Sequence, residues 1–320
     1  MKIGVKIPND SAKAREIGLT NMGRLAEDAG ADSLWVNDHL LTVEGGRSPY
    51  PFTPDGAIPW PMDLPRYECL IAASFLAATT SRCRIGTSVL ILPQRNVLEL
   101  AKTTATLDTL SGGRFVLGIG VGWFAEEMEA LGYRFESRGR RTDEMIEVLR
   151  RCWTGRPQPF RGKEIAVPDD LILEPRPSQP NGPPVLVGGM SRAALRRAAL
   201  RGDGWLAFQR EELDARQLAD LLVTLEDLRE EAGRLDESFS HVMHLSSTPG
   251  MAPWLPEFAA SVTAGSGTGE RNFLPFIPWL AARETVSTVP ATDPREAIGI
   301  NTPEDLETIE AWLERGHTSS

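Results

Sequence analysis

Three places in the 320-residue chain carry residues whose types and spacing could do chemistry. The first is Asn37-Asp38-His39, which closes the apolar run Ser33-Leu34-Trp35-Val36. Imidazole titrates near neutrality and can give or take a proton beside a reacting centre. The same Asp38-His39 pair could equally be a hydrogen-bonded loop anchor, and the residues by themselves weigh the two evenly. The second place is Gly118-Ile119-Gly120-Val121-Gly122-Trp123, where glycines alternate along a strand and a tryptophan follows. Alternate glycines weaken a strand, so they need a reason: close approach of a flat ligand, or tight packing of neighbouring elements. It is not a dinucleotide fingerprint, because the spacing is wrong and no acidic ribose partner is in register. The third is Val187-Gly188-Gly189-Met190-Ser191-Arg192, opening a helix. Free N–H groups at a helix start, bare glycines and the Arg192, Arg196 and Arg197 cluster could hold a phosphate. An ordinary capped helix with arginines in solvent would read the same.

These positions need a scaffold. Short apolar runs at 3–7, 33–37, 84–91, 115–120, 184–187, 205–208 and 241–246 alternate with longer segments of helical period. Alternation of that kind predicts parallel strands joined by crossover helices, and seven strands come close to an eight-stranded (β/α) barrel with its eighth unit open. Leu218, Leu221, Leu222, Leu225, Leu228 and Ala232 keep one face of a helix apolar at the 3.6 period, as a helix on a barrel wall requires. Barrel active sites collect at the C-terminal ends of strands, and all three places fall at such ends. His241 and His244 lie on a predicted strand, where an i, i+3 pair points to opposite faces, so they read as structural. Two stretches break the rhythm: 40–66, dense in Pro and Gly, and 155–183, with seven prolines. Both are expected to be functional loops or insertions.

Composition bounds the partners. Hydrophobic residues make up 41% of the chain, ample for one large core. Acidic residues number 44 against 34 basic, a formal charge of −10, which repels nucleic acid and anionic membrane and favours a small-molecule substrate. The first residues lack the apolar core of a secretory signal and no window reaches bilayer-spanning length, so a cytoplasmic location is expected. Cys69, Cys83 and Cys152 are odd in number and far apart, which predicts buried thiols rather than a disulfide framework or a metal site.

The segments Ser33 to His39, Gly86-Thr87-Ser88-Val89, Leu107 to Arg114, Gly118 to Trp123, Glu126-Glu127-Met128-Glu129-Ala130-Leu131-Gly132, Gly139 to Glu144 and Val187-Gly188-Gly189 together resemble the luciferase-like monooxygenase superfamily, specifically its deazaflavin-using branch. The likeness covers about residues 1–248. It implies a barrel that binds coenzyme F420 at the C-terminal mouth and passes hydride to or from its central ring. By resemblance, Ser88-Val89 holds a non-proline cis peptide behind the ring. His39 lies beside the reactive carbon as proton donor or acceptor, and Asp38 orients the loop or tunes the ring's charge. Gly120, Val121, Gly122 and Trp123 border the ring, with Val121 and Gly122 on its polar edge. Val187, Gly188, Gly189, Met190 and Ser191 meet the tail phosphate. Relatives also pair into homodimers through barrel helices. Trp123 stands where relatives that oxidise a sugar phosphate present a glutamate, which points away from that activity.

From about residue 249 the likeness stops. Gly269 to Phe276 and Glu296 to Leu306 resemble the last part of a sugar-type nucleotidyltransferase, but the Gly-rich loop that opens those enzymes is nowhere in the chain, so no nucleotidyl transfer is expected. Thr302 as N-cap and Pro303 at the first helical position predict a final helix. Two other functions compete with a deazaflavin-dependent oxidoreductase: an FMN-dependent monooxygenase, whose reduced ring reacts with oxygen, and a cofactor-binding protein without catalysis.

Overall fold

The computed structural model describes residues 2–10, 14–53, 55–208 and 215–244. The nucleotidyltransferase-like tail, the helix expected after Thr302 and any eighth barrel unit drawn from 249–320 lie outside the described residues.

The expected alternation of strand and helix is present. In chain order the elements are β1 (Gly4–Lys6), α1 (Leu19–Asp28), β2 (Ser33–Val36), α2 (Cys69–Thr79), β3 (Arg84–Thr87), β4 (Leu90–Ile91), α3 (Val97–Leu110), β5 (Phe115–Gly120), α4 (Ala125–Ala130), α5 (Arg138–Cys152), β6 (Phe160–Arg161), β7 (Ala166–Val167), β8 (Val185–Gly188), α6 (Arg192–Arg201), β9 (Gly204–Phe208), α7 (Ala215–Glu231) and β10 (Ser240–His244). The parallel path runs β1-β2-β3-β5-β8-β9-β10, with β4 also on β5, and β6 with β7 forms a separate antiparallel ribbon. This is the curled parallel sheet of a (β/α) barrel, with helices outside. Trp35, Val116, Leu186 and Leu206 fill its interior, joined by Val89 and Val242. A larger apolar layer, including Leu34, Ile85, Leu117, Val187 and Leu225, lies between strands and helices. Among the described residues no helix is long and apolar enough to cross a membrane.

The single strand expected over 84–91 is two strands. Gly86 pairs Val116 and Leu90 pairs Ile119, so four steps on one side match three on the other. One extra residue bulges out, as in any such mismatch, and the Ser88–Val89 peptide inside it is cis, as the resemblance implied. This bulge answers the question of the alternating glycines. A Cβ on Gly118 would stand 2.0 Å from the Thr87 carbonyl oxygen, and one on Gly120 or Gly188 would stand 2.6 Å from a Val89 methyl. The glycines therefore serve close packing of protein on protein, with Val89 seated between two bare strands.

The 155–183 stretch is an insertion, one of the two readings expected for it, and part of it packs away from the three candidate places. Gln179 donates from its N–H and its side-chain NH₂ to Asp108 and to the Phe115 carbonyl, and accepts from Arg84. Arg84 and Phe115 begin their strands, so Gln179 lies at the N-terminal end of the sheet, while the 163–165 part of the stretch donates backbone N–H groups to Glu144 on α5.

Cys69, Cys83 and Cys152 are buried free thiols, as expected. The outer face of α2 leaves Ile71 and Phe75 exposed at 60% and 57%, and α1, which packs against α2, leaves Leu25 exposed at 40%. At the foot of α1, Glu27 is 9% exposed and accepts from the backbone N–H groups of Ser81, Arg82 and Cys83 at 2.9, 2.6 and 2.8 Å. Burial opposes its charge, but these donors outweigh it and hold the carboxyl at about 2, against an ordinary 4.5. A depressed folded value stabilises above the ordinary value and is lost as pH falls through the folded one. Glu27→Ala should cost roughly 1–3 kcal/mol at neutral pH, and much less near pH 2. Urea midpoints for both chains across that range would check it; an equal deficit at every pH would contradict it.

Candidate active site

His39 lies three residues beyond β2 and its side chain is 12% exposed. Its Nδ1 lies 2.6 Å from Glu127 Oε2, on α4, which is itself fully buried. Glu127 also accepts from the N–H groups of Leu40 and Leu41 and from Gln94 Nε2. Burial alone would push the Glu127 carboxyl up, but the His39 hydrogen bond and the backbone donors bring it below its ordinary range. An ionised carboxylate only accepts, so Nδ1 must carry the hydrogen and donate. That fixes the tautomer and leaves Nε2 as the working nitrogen. Among the described residues nothing hydrogen-bonds Nε2.

The 40–66 stretch is the roof of this site, and both its ends are clasped. Asn9, fully buried, donates to the carbonyls of Asn37 and Tyr67 and accepts from the Asn37 N–H. Arg95 spans Asp38 and Glu68, each at 2.7 Å. From α4, Glu126 accepts from Arg47 N–H at 2.6 Å and from Ser48 Oγ at 2.6 Å. The Ser48 hydroxyl leads the interactions that hold the Glu126 carboxyl at about 2. Inside the roof, Tyr50 sets its ring edge against Phe52, Trp60 and Trp123, Trp123 meets His39 edge-on, and Phe52 reaches Phe208 at the end of β9.

Asp38 is 4% exposed, with Oδ1 on Arg95 and Oδ2 on the Ile91 N–H. Burial pushes its carboxyl up, and Arg95 opposes that. Both oxygens are occupied by protein, Oδ1 by Arg95 and Oδ2 by the Ile91 N–H. The trio Asp38, Glu68 and Cys69 has donor atoms within 4.8 Å of one another, and Arg95 is the cation among them, with Nη2 also 3.7 Å from the Cys69 sulfur.

At the floor of the mouth lie Ser88 and Val89, half-buried, between the ends of β5 and β8. Val121, Gly122 and Trp123 leave β5 half-exposed, with Gly122 at φ 78 and no room for a Cβ against an Ile91 methyl at 2.8 Å. Gly120 is covered by Val89, and the Val187 side chain is 2% exposed in the core, so neither offers a side-chain contact to a ligand. Gly189, Met190 and Ser191 are the accessible part of the next corner: Gly189 has φ 112, and Ser191 caps α6 by accepting from the Ala194 N–H. The arginine cluster is smaller than expected, because Arg197 is committed to Asp143 at 2.6 Å and to the Gly139 carbonyl. Arg192 and Arg196 remain exposed beside the corner. His241 stays structural, 3.6 Å from Glu226 on α7.

Sequence reasoning singled out His39, the Ser88–Val89 bulge and the Gly188–Ser191 corner, and it missed Asn9, Arg95, Glu126 and Glu127. The adjacent acids at the start of α4 were a signal, since two carboxylates opening a six-residue helix need partners.

An uncharacterized protein of Mycobacterium tuberculosis strain H37Rv is 37% identical over 226 residues, covering 70% of this chain and 75% of its own. The F420-dependent glucose-6-phosphate dehydrogenase of Amycolatopsis mediterranei is 32% identical over 212 residues, 64% of this chain and 57% of that protein. Among solved structures, an F420-dependent secondary alcohol dehydrogenase bound to an F420-acetone adduct superposes with TM-score 0.64 at 18% identity, over 98% of this chain and 90% of that one. An FMN complex of the oxygenating constituent of 3,6-diketocamphane monooxygenase from Pseudomonas putida gives 0.60 at 19%, over 98% and 88%. The luciferase-like monooxygenase family profile matches residues 1–249, and the chain, a parallel (β/α) barrel with this site at its mouth, belongs to that family of oxidoreductases.

Proposed function

We propose that the chain is an F420-dependent oxidoreductase that exchanges a hydride between the deazaflavin and a small organic substrate. The observation that carries this is His39, with one ring nitrogen locked on a buried carboxylate and the other left at the barrel mouth. The residues present fit a flat ring with a phosphate tail. Val89, flanked by glycines that admit no Cβ, offers an apolar floor without projecting side chains. Met190 and Ser191, at the start of a ten-residue helix, would take the phosphate, with Arg192 nearby. When bound, the deazaflavin supplies the carbon that gives or accepts hydride. His39 Nε2 would hold or receive the proton that balances the hydride, while the aromatic roof limits water. Trp123 in place of an acid supports a substrate other than a sugar phosphate. The apolar outer face of α2 is where a second copy would pack.

Equilibrium titration of the purified chain with F420 and with FMN, followed by ring fluorescence, tests the cofactor. F420 should bind at least about tenfold more tightly, a difference of ~1.4 kcal/mol. Gly189→Leu should weaken it strongly, with melting followed in parallel, because the bulk falls at the phosphate corner. Tighter FMN binding would make the chain an FMN enzyme, and binding of neither would sink the proposal.

A further inference from the structure

The roof is built as a hinged unit. Its neck is closed by Thr42 Oγ1, which donates to the Met62 carbonyl at 2.7 Å. Beyond the neck the loop satisfies itself over short range: Gly46 N–H on the Val43 carbonyl, Tyr50 N–H on the Gly56 carbonyl and Thr53 Oγ1 on the Ala57 carbonyl. Below the neck the chain is fastened to the barrel through Asn9, Asp38 and Glu127, all buried, which hold Asn37 and Tyr67, Arg95, and Leu40 and Leu41. A compact loop with fixed ends and bonds of its own can swing as a body about those ends.

Further out, the loop is held to the barrel differently. Glu126 Oε1 accepts from the N–H groups of Arg47 and Ser48 at 2.6 and 3.2 Å, and its Oε2 accepts from Ser48 Oγ at 2.6 Å. The same hydroxyl accepts from the Ala125 N–H at 3.0 Å, so four hydrogen bonds join two roof residues to the first turn of α4. Arg47 is exposed, and Ser48 and Glu126 are half-exposed. Water can replace these bonds at small cost, whereas breaking the buried ones below the neck strands polar groups away from solvent. Under the loop, Ile58, Trp60 and Met62 meet Trp123 and Phe124 and leave a cavity of about 10 Å³ beside His39, room for about one water. While the loop is fastened, an organic ligand has no space on that side of the imidazole.

We propose that the loop between Thr42 and Met62 is a lid, hinged at that neck and latched by Glu126 on Arg47 and Ser48, which lifts to let a ligand meet His39 and closes over it. That the ligand is a deazaflavin with its substrate rests on the oxidoreductase proposal; the hinge and the latch rest on the loop alone. Consecutive residues of α4 thus divide the work, Glu126 holding the lid and Glu127 holding His39. The Glu126 carboxyl, held at about 2, stays charged through neutrality, so pH does not work the latch there.

The test places a thiol under the lid. Ile58→Cys faces the cavity, and the native Cys69, Cys83 and Cys152 are fully buried and do not compete for a maleimide. When closing outruns alkylation, the labelling rate follows the open fraction. A hydrogen bond to an ionised acceptor shifts an equilibrium by roughly ten- to a hundredfold, and exposure puts this latch at the lower end. Ile58→Cys/Glu126→Ala should therefore label about tenfold faster than Ile58→Cys, and Glu126→Gln, which keeps an acceptor for the two N–H groups, should fall between. Without the cysteine, Glu126→Ala should raise the association and dissociation rates of F420 together by a similar factor, read by stopped-flow fluorescence, with Kd near its parent value. Equal labelling rates would overturn the proposal. So would faster labelling with unchanged F420 rates, which would mean a mobile loop that gates nothing, or a loss of F420 affinity with unchanged labelling, which would make Glu126 a cofactor contact. The Gln variant decides should the alanine fail to fold. A chain that binds no F420 would remove the cofactor reading and leave the labelling to decide the lid.

Discussion

His39→Ala is expected to lower turnover with a competent substrate by about 10²- to 10⁴-fold while F420 affinity stays near its parent value. The magnitude is that of one positioned acid-base group. The specificity comes from the geometry: Nδ1 is committed to Glu127, so the ring has one nitrogen left, and His39 lines the small space under the 40–66 roof. Packing is a small part of what the alanine removes, since His39 makes one edge contact with Trp123 and sits at the rim of the core. Single-turnover kinetics with pre-bound cofactor would separate the chemical step from binding. A variant that turns over at the parent rate would move the proton to solvent or to the 40–66 roof. A loss confined to F420 affinity would make His39 a cofactor contact.

Much of the framework was legible because parallel barrel strands are short apolar runs with helical segments between them, and all seven expected strands are present. The break at Ser88–Val89 was invisible to periodicity, because both halves of 84–91 are apolar and only the pairing partner reveals the extra residue. The glycines of β5 were legible as an anomaly but not as a cause: the atoms that forbid a side chain there belong to Thr87, Val89 and Leu206, about thirty to ninety residues away. The site followed the same division. His39 announced itself by its place at a strand end. Glu127 did not, because its partners lie some eighty-six to eighty-eight residues earlier and an acid on a short helix reads as solvated surface. Asp38 was read in the right place with an open role, and only the bonds to Arg95 and Ile91 show which way it faces.

Glu127→Gln is the sharpest test of how His39 is held. The amide oxygen, in the place of Oε1, can still accept from the Leu40 N–H and from Gln94 Nε2, but the new NH₂, in the place of Oε2, meets the donor at His39 Nδ1. One buried donor is left unpaired, at roughly 1–3 kcal/mol, or His39 turns its Nδ1 into an acceptor. That second tautomer puts the hydrogen on Nε2, so the neutral ring can no longer accept a proton there. A wrong tautomer disables the same nitrogen that His39→Ala removes, so kcat should fall by about 10²-fold or more, approaching the His39→Ala loss. KM and F420 affinity should move little. The Glu127 carboxyl lies below its ordinary range, so its contribution is present above the usual carboxylate range near about 4.3 and is lost only as pH falls further. Its own titration should therefore leave no mark on a rate profile taken around neutrality. The double variant His39→Ala/Glu127→Gln should be no slower than His39→Ala alone, because two residues that act as one unit do not lose their effect twice. Multiplying losses in that cycle would mean that Glu127 only supports the roof through Leu40 and Leu41, and that the orientation of His39 does not depend on it.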